Sequence, residues 1–200
     1  MVSVVAVVVD GANMTDLQQA FERHLVRSRF FATQDKVVVA VSTGVDSMVL
    51  LDLLQHLSSK NRPQIIVAHM NHELRKQSQL EERFIRQYCK QNDLKLAVTH
   101  WPQDLHPQTG IENAARQARY QFFRKVMKDN RASILLTAHH QNDLAETMLM
   151  KMTRGGQLSQ LVGIRDRRPF ASGTLIRPLL PFSKQQLKKY ALQHHLKWYE

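Results

Sequence analysis

Lys36–Val41 reads KVVVAV, and this unbroken apolar run passes through Ser42-Thr43-Gly44-Val45-Asp46-Ser47 into Ser47–Leu57, which is apolar on almost every side. A strand without polar alternation has to be covered on both faces. A helix that is apolar all round has to be buried. Together they confine the chain to a layered α/β architecture. Further apolar runs follow at Ile65–Met70, Leu94–Thr99, Ile134–Ala138 and Thr174–Leu179. Helical segments separate them at Gln77–Gln91, Gly110–Lys128, Asp143–Thr153 and Ser183–His194, and an earlier one carries Leu17, Ala20, Phe21 and Leu25 behind Thr15 as N-cap. This alternation predicts a doubly wound α/β fold with a mainly parallel five-stranded sheet.

At 200 residues the chain is long enough for one domain with a sizeable core. We expect that domain over residues 14–200, with residues 1–13 an N-terminal extension of uncertain status. The run Val2–Val9 is about half the length needed to span a bilayer and has no basic segment before it. The expected compartment is therefore the cytoplasm, with no membrane partner. A single cysteine, Cys89, excludes an internal disulfide framework, a four-cysteine zinc site and a cysteine-held iron–sulfur cluster. The net charge of +11 favours a polyanionic partner, nucleic acid first. The excess is uneven, because residues 151–200 hold ten Lys or Arg against two acids.

The loop after the first strand is the most informative stretch for function. Ligands bind at the carboxyl ends of strands in open α/β sheets. Small residues admit a phosphate to the backbone, helix-start amides point at the anion, and the hydroxyls of Ser42, Thr43 and Ser47 can donate further bonds. The loop lacks the Gly-Lys-Ser/Thr ending of a Walker A motif and is not GxGxxG. Asp46 suits the holding of a magnesium ion on a nucleotide, or the orientation of a donor. On spacing alone, a polar turn between strand and helix is an equally good reading.

Ser42-Thr43-Gly44-Val45-Asp46-Ser47 resembles the PP-loop, Ser-Gly-Gly-X-Asp-Ser, of the N-type ATP pyrophosphatases. The resemblance implies ATP bound at Ser42, Thr43, Gly44, Val45, Asp46 and Ser47, with Mg²⁺ on the nucleotide held through Asp46. It also implies cleavage between the α and β phosphates. The sequence departs at Thr43, where glycine is usual. A β-branched residue there is strained if the backbone needs a positive φ.

Further stretches narrow the resemblance: AHMNHELR at 68–75, ENAARQARY at 112–120, TAHHQNDLAET at 137–147, RGGQLSQLVG at 154–163 and RPLL at 177–180. In this order they resemble the tRNA(Ile)-lysidine synthetases over roughly residues 17–200. That family adenylates the 2-carbonyl oxygen of the wobble cytidine in a minor isoleucine tRNA, and the lysine ε-amine then displaces AMP. The implied partners are ATP, Mg²⁺, L-lysine and tRNA(Ile) with a CAU anticodon. The resemblance assigns Asp46 and Asp143 to catalysis, and Arg119, His139, Asp143 and Glu146 to lysine and substrate binding. Arg154 and Arg177 are the expected tRNA contacts. It further implies tRNA-gripping domains beyond residue 200, so that this chain would bind ATP and handle tRNA weakly.

Read physically, His139, Asp143 and Glu146 recur at i, i+4 and i+7, and acids there can equally be plain helix caps. The family's aspartate pair is broken by Asn142. A His139/Asp143 metal site lacks a third strong ligand at motif spacing. The alternative to a ligase is a PP-loop module that binds nucleotide or RNA without full catalysis.

Overall fold

The computed structural model describes residues 15–73, 77–153 and 165–199. The expected strands are β1 (Lys36–Ala40), β2 (Gln64–Asn71), β3 (Lys95–His100), β4 (Ile134–Leu136) and β6 (Gly173–Ile176), and these five all run parallel to one another. The sheet has six strands rather than five, in the order β3-β2-β1-β4-β6-β5. The addition is β5 (Arg167–Phe170), antiparallel to β6 at the sheet edge. Its four residues are too few to show alternation in the sequence. Its proline, Pro169, is of a type tolerated on an edge strand.

Six helices flank the strands: α1 (Thr15–Ser28), α2 (Val45–Gln55), α3 (Ser78–Gln91), α4 (Ile111–Asn130), α5 (Gln141–Thr153) and α6 (Lys184–Gln193). The period-2 geometry of β1 explains the layers. Val37 and Val39 point into one core, which holds Phe21 of α1, most of α2, Ile85 and Cys89 of α3, and Leu187 and Tyr190 of α6. Val38 points into the other, with Phe123, Val126 and Met127 of α4. Both faces of β1 are thus covered, as its unbroken apolar run requires. Nine of the eleven residues of α2 are buried, including Asp52, whose carboxylate accepts a 2.8 Å hydrogen bond from the Tyr190 hydroxyl. Ser183 and Gln186 close a capping box that starts α6.

β1 lies between β2, the strand that follows it, and β4. The chain order reverses there, and the carboxyl ends of β1 and β4 frame a crevice. No helix among the described residues is long and apolar enough to cross a membrane. The expected extension 1–13 and the expected tRNA contact Arg154 lie outside the described residues.

The β5–β6 hairpin is seated by a close backbone approach. A Cβ on Gly173 would fall 1.9 Å from the carbonyl oxygen of Ser133. We expect Gly173→Ala to cost about 1–3 kcal/mol as an overpacking defect, read as a lower urea midpoint. An unchanged midpoint would show that the hairpin is free to shift away from β4.

Candidate functional site

A cleft of about 490 Å³ opens at the carboxyl ends of β1, β2 and β4, lined by Ser42, Asp46 and Ser47 from the loop and by His139 and Asp143 beyond β4. The loop folds on itself through Ser47. The Ser47 hydroxyl donates to the Gly44 carbonyl (2.9 Å) and accepts from the Ser42 amide (3.2 Å). Gly44 is the N-cap of α2 in an extended conformation and makes no side-chain capping bond. The amides of the first turn of α2 therefore lack the side-chain oxygen that caps most helices. Thr43, fully buried, has φ = 66°, the left-handed region. Its hydroxyl donates to the Ser42 carbonyl (2.6 Å), and its own carbonyl accepts from the Tyr199 amide (3.0 Å). The loop keeps a conformation suited to glycine with a threonine in place.

Asp46 opens the helix and is only a quarter exposed. Lys184 Nζ donates to both of its oxygens, at 2.7 and 2.6 Å. Lys184 is the first residue of α6, and its amide donates to Asn142 Oδ1 at 3.0 Å. The asparagine that interrupts the expected acid pair therefore ties α5 to α6 behind the ion pair. Asp143 accepts from the His140 amide at 2.7 Å, so it does act as a helix cap. It lines the cleft as well. His140, 6% exposed, stands between the two acids, with Nε2 3.5 Å from Asp46 and Nδ1 3.3 Å from Asp143. Lys184 and His140 were missed in the sequence. Lys184 sits in a basic stretch that reads as a surface helix, 138 residues from its partner. His140 carries no spacing signal of its own.

The remaining residues sort by burial. His139 binds the Thr137 hydroxyl through Nδ1 (2.9 Å). Burial, with the positive fields of Arg177, Arg116 and Arg119, pushes its pKa down to about 4. Arg119 is half-buried in the cleft wall, and its desolvation lowers its own pKa. His72 is likewise held down to about 4 by burial and by Arg119. Glu146 is exposed on α5 and is not among the residues lining the cleft. Arg177, read from sequence as a tRNA contact, is 7% exposed and donates to the Arg165 carbonyl (2.6 Å). It stands with the cations around His139 rather than on the outer surface, because the segment from Leu175 to Leu180 is buried.

Asp46 fits a magnesium ion carried by a nucleotide. The carboxylate already holds one cation, the Lys184 ammonium, and magnesium sites are commonly one or two carboxylates completed by substrate phosphates. Among the described residues no group of three or more His, Cys, Asp or Glu could hold a metal unaided.

Comparison with known proteins identifies the family and the fold. The family profile described as a PP-loop domain matches residues 13–200. The tRNA(Ile)-lysidine synthase of Lactiplantibacillus plantarum is 56% identical over 187 residues, which is 94% of this chain and 42% of that protein. The tRNA(Ile)-lysidine synthase of Enterococcus faecalis is 44% identical over 171 residues, 86% of this chain and 37% of that protein. The chain thus spans less than half the length of these curated relatives. Among solved structures, the U34-tRNA thiolase NcsA from Methanococcus maripaludis superposes with a TM-score of 0.74 at 16% identity, covering 91% of this chain and 64% of that one. That likeness is one of fold.

Two outcomes follow from these local energetics. At Thr43 we expect the ordinary order of Ala and Gly to invert, with Thr43→Gly more stable than Thr43→Ala by about 1 kcal/mol in chemical denaturation. Equal stabilities would mean that the loop relaxes out of the left-handed region. The fold also keeps His139 and His72 neutral down to about pH 4, whereas unfolded imidazoles titrate near 6.5. Below pH 6.5 the unfolded chain binds more protons, so the contribution is whole above that pH and is lost as pH falls toward 4. A His72→Gln/His139→Gln variant should show a shallower loss of stability across that window, and an unaltered acid limb would contradict the assignment.

Proposed function

The chain belongs to the PP-loop domain family, and on that premise we propose that it is the ATP-dependent catalytic part of a tRNA(Ile)-lysidine synthase, acting in the cytoplasm. Its substrates are then ATP, L-lysine and the minor tRNA(Ile) with a CAU anticodon. The observation that carries the reading is the pairing of Asp46 and Asp143 across one imidazole, His140, at the mouth of the loop. On this reading one acid serves the nucleotide and the other an amine.

The reaction has two stages. The 2-oxygen of the wobble cytidine attacks the α-phosphate of ATP, forming an oxygen–phosphorus bond and releasing pyrophosphate. The lysine ε-amine then attacks carbon 2, and AMP leaves with the oxygen. The loop amides and the Ser42 and Ser47 hydroxyls receive phosphate oxygens as α2 begins. Asp46 would hold Mg²⁺, which when bound offsets charge on the departing pyrophosphate. Asp143 accepts hydrogen bonds from the lysine ammonium and orients it. That ammonium must lose a proton before it can attack, and Asp143 and the His139 ring, which line the same cleft, are the groups there that can accept one. Arg119 supplies positive charge to the cleft wall for the phosphates or for the lysine carboxylate.

The primary test is pyrophosphate release from ATP with lysine, with and without the tRNA. The reading requires release that depends on the tRNA. We expect Asp46→Asn to lower that release by at least about tenfold with the fold intact, because an amide is a poor magnesium ligand. Unchanged release would remove Asp46 from the reaction. We expect Asp143→Ala to raise the lysine requirement far more than the ATP requirement. Loss of a desolvated partner to an ammonium costs on the order of 2–5 kcal/mol. Equal effects on both would reassign Asp143 to the nucleotide.

A further inference from the structure

One face of α4 carries Asn113, Arg116, Gln117, Tyr120, Gln121 and Arg124, spaced 3, 4, 7, 8 and 11 residues from the first. That spacing puts them on a single stripe along the helix. Every side chain in the stripe can donate a hydrogen bond, and none is an acid. The edge strand β5 completes the surface with Arg168 and Phe170, and the whole borders a concavity of about 450 Å³. The guanidiniums are held against the rings. Arg116 lies 5.2 Å and Arg168 5.5 Å from the Tyr120 centroid, while Arg124 lies 5.3 Å and Arg168 5.8 Å from that of Phe170. Among the described residues no carboxylate pairs with Arg116, Arg124 or Arg168, although acids elsewhere take partners such as Arg86 and Lys125. Arg116 and Tyr120 also line the catalytic cleft, so the two concavities share a wall.

We propose that this α4–β5 face is a docking track for the RNA backbone leading into the cleft. A guanidinium stacked on a ring keeps its planar N–H edge free and has lost much of its rotational freedom, so little further entropy is spent when it grips a phosphate. Three such groups in a row, with amide donors between them and no competing acid, match a chain of phosphates. An acidic peptide would need its spaced carboxylates to find the same in-line array. Continuity with the cleft gives the track a direction, since a strand laid along it runs toward Asp143. The inference rests on the RNA-substrate reading above and adds the surface by which the RNA enters.

The test is fluorescence anisotropy with a labelled anticodon stem–loop RNA at several salt concentrations, using the chain as it stands. Arg124 and Arg168 lie outside the catalytic cleft, so Arg124→Gln/Arg168→Gln should leave ATP affinity unchanged. The same pair should weaken RNA binding by at least about tenfold and lower the slope of log affinity against log salt by about 1.4–1.8, corresponding to two lost phosphate contacts. Lys36→Gln/Lys95→Gln, an equal loss of charge at the amino ends of β1 and β3, should have a much smaller effect. Should the first pair disturb ATP binding, Arg124→Lys/Arg168→Lys keeps the charge and should still lose affinity, because the stacked fork is gone. Equal losses from the two charge-matched pairs, no loss from the first, no RNA binding by the unsubstituted chain, or equally tight binding of a polyglutamate peptide would each overturn the proposal. Failure of the underlying reading would be visible separately, as pyrophosphate release in the unsubstituted chain that ignores lysine and RNA.

Discussion

The constraint on which this structure depends is the burial of β1 on both faces. Val37, Val38 and Val39 are fully buried, so the strand can present polar backbone groups only at its end. There the chain turns into α2, which is itself buried and begins without a side-chain cap. A helix start with spare amides, fixed between two cores, is a rigid place for an anion. The strain at Thr43 belongs to the same arrangement, since the turn must be tight enough to pass directly from a central strand to a central helix. The Tyr199 amide holds the Thr43 carbonyl and so couples the far end of the described chain to the loop.

Around that fixed point the electrostatics divide into two zones. At the loop mouth Lys184 pairs with Asp46, and the His140 ring stands between Asp46 and Asp143. Across the cleft, Arg177, Arg116 and Arg119 surround His139 with positive field, opposed by Asp143. Of these, Arg177 is buried and Arg119 half-buried, and desolvated cations of this kind are expensive unless an anion arrives. On the proposed reading a nucleotide and an RNA phosphate supply that anion; burial first, and then the same cations, keep His139 neutral. The ion pair between Asp46 and Lys184 also makes α6 part of the site, although no motif marks it.

Much of the fold was legible because its signals are local. Unbroken valine and isoleucine runs give buried strands, and the serine N-cap Ser183 gives the start of α6. The loop was legible through its strand–turn–helix context, and Thr43 through the stereochemistry of a β-branched residue. What escaped was non-local or too short. β5 has four residues and a proline. Lys184 reaches Asp46 only because α6 packs against α2. His140 acquires its place from two carboxylates that the fold brings to it. Arg177 was expected to contact tRNA, and its buried neighbours from Leu175 to Leu180 draw it inward.

The central claim is that this cleft spends ATP between the α and β phosphates to activate an RNA oxygen. The most direct measurement follows ATP labelled at the α-phosphate, incubated with the chain and the CAU-anticodon tRNA without lysine, and then with lysine added. The account predicts that label first joins the RNA as adenylate and then appears as AMP when lysine is supplied, with no ADP formed. Label recovered as ADP, or AMP released without passing through the RNA, would contradict it.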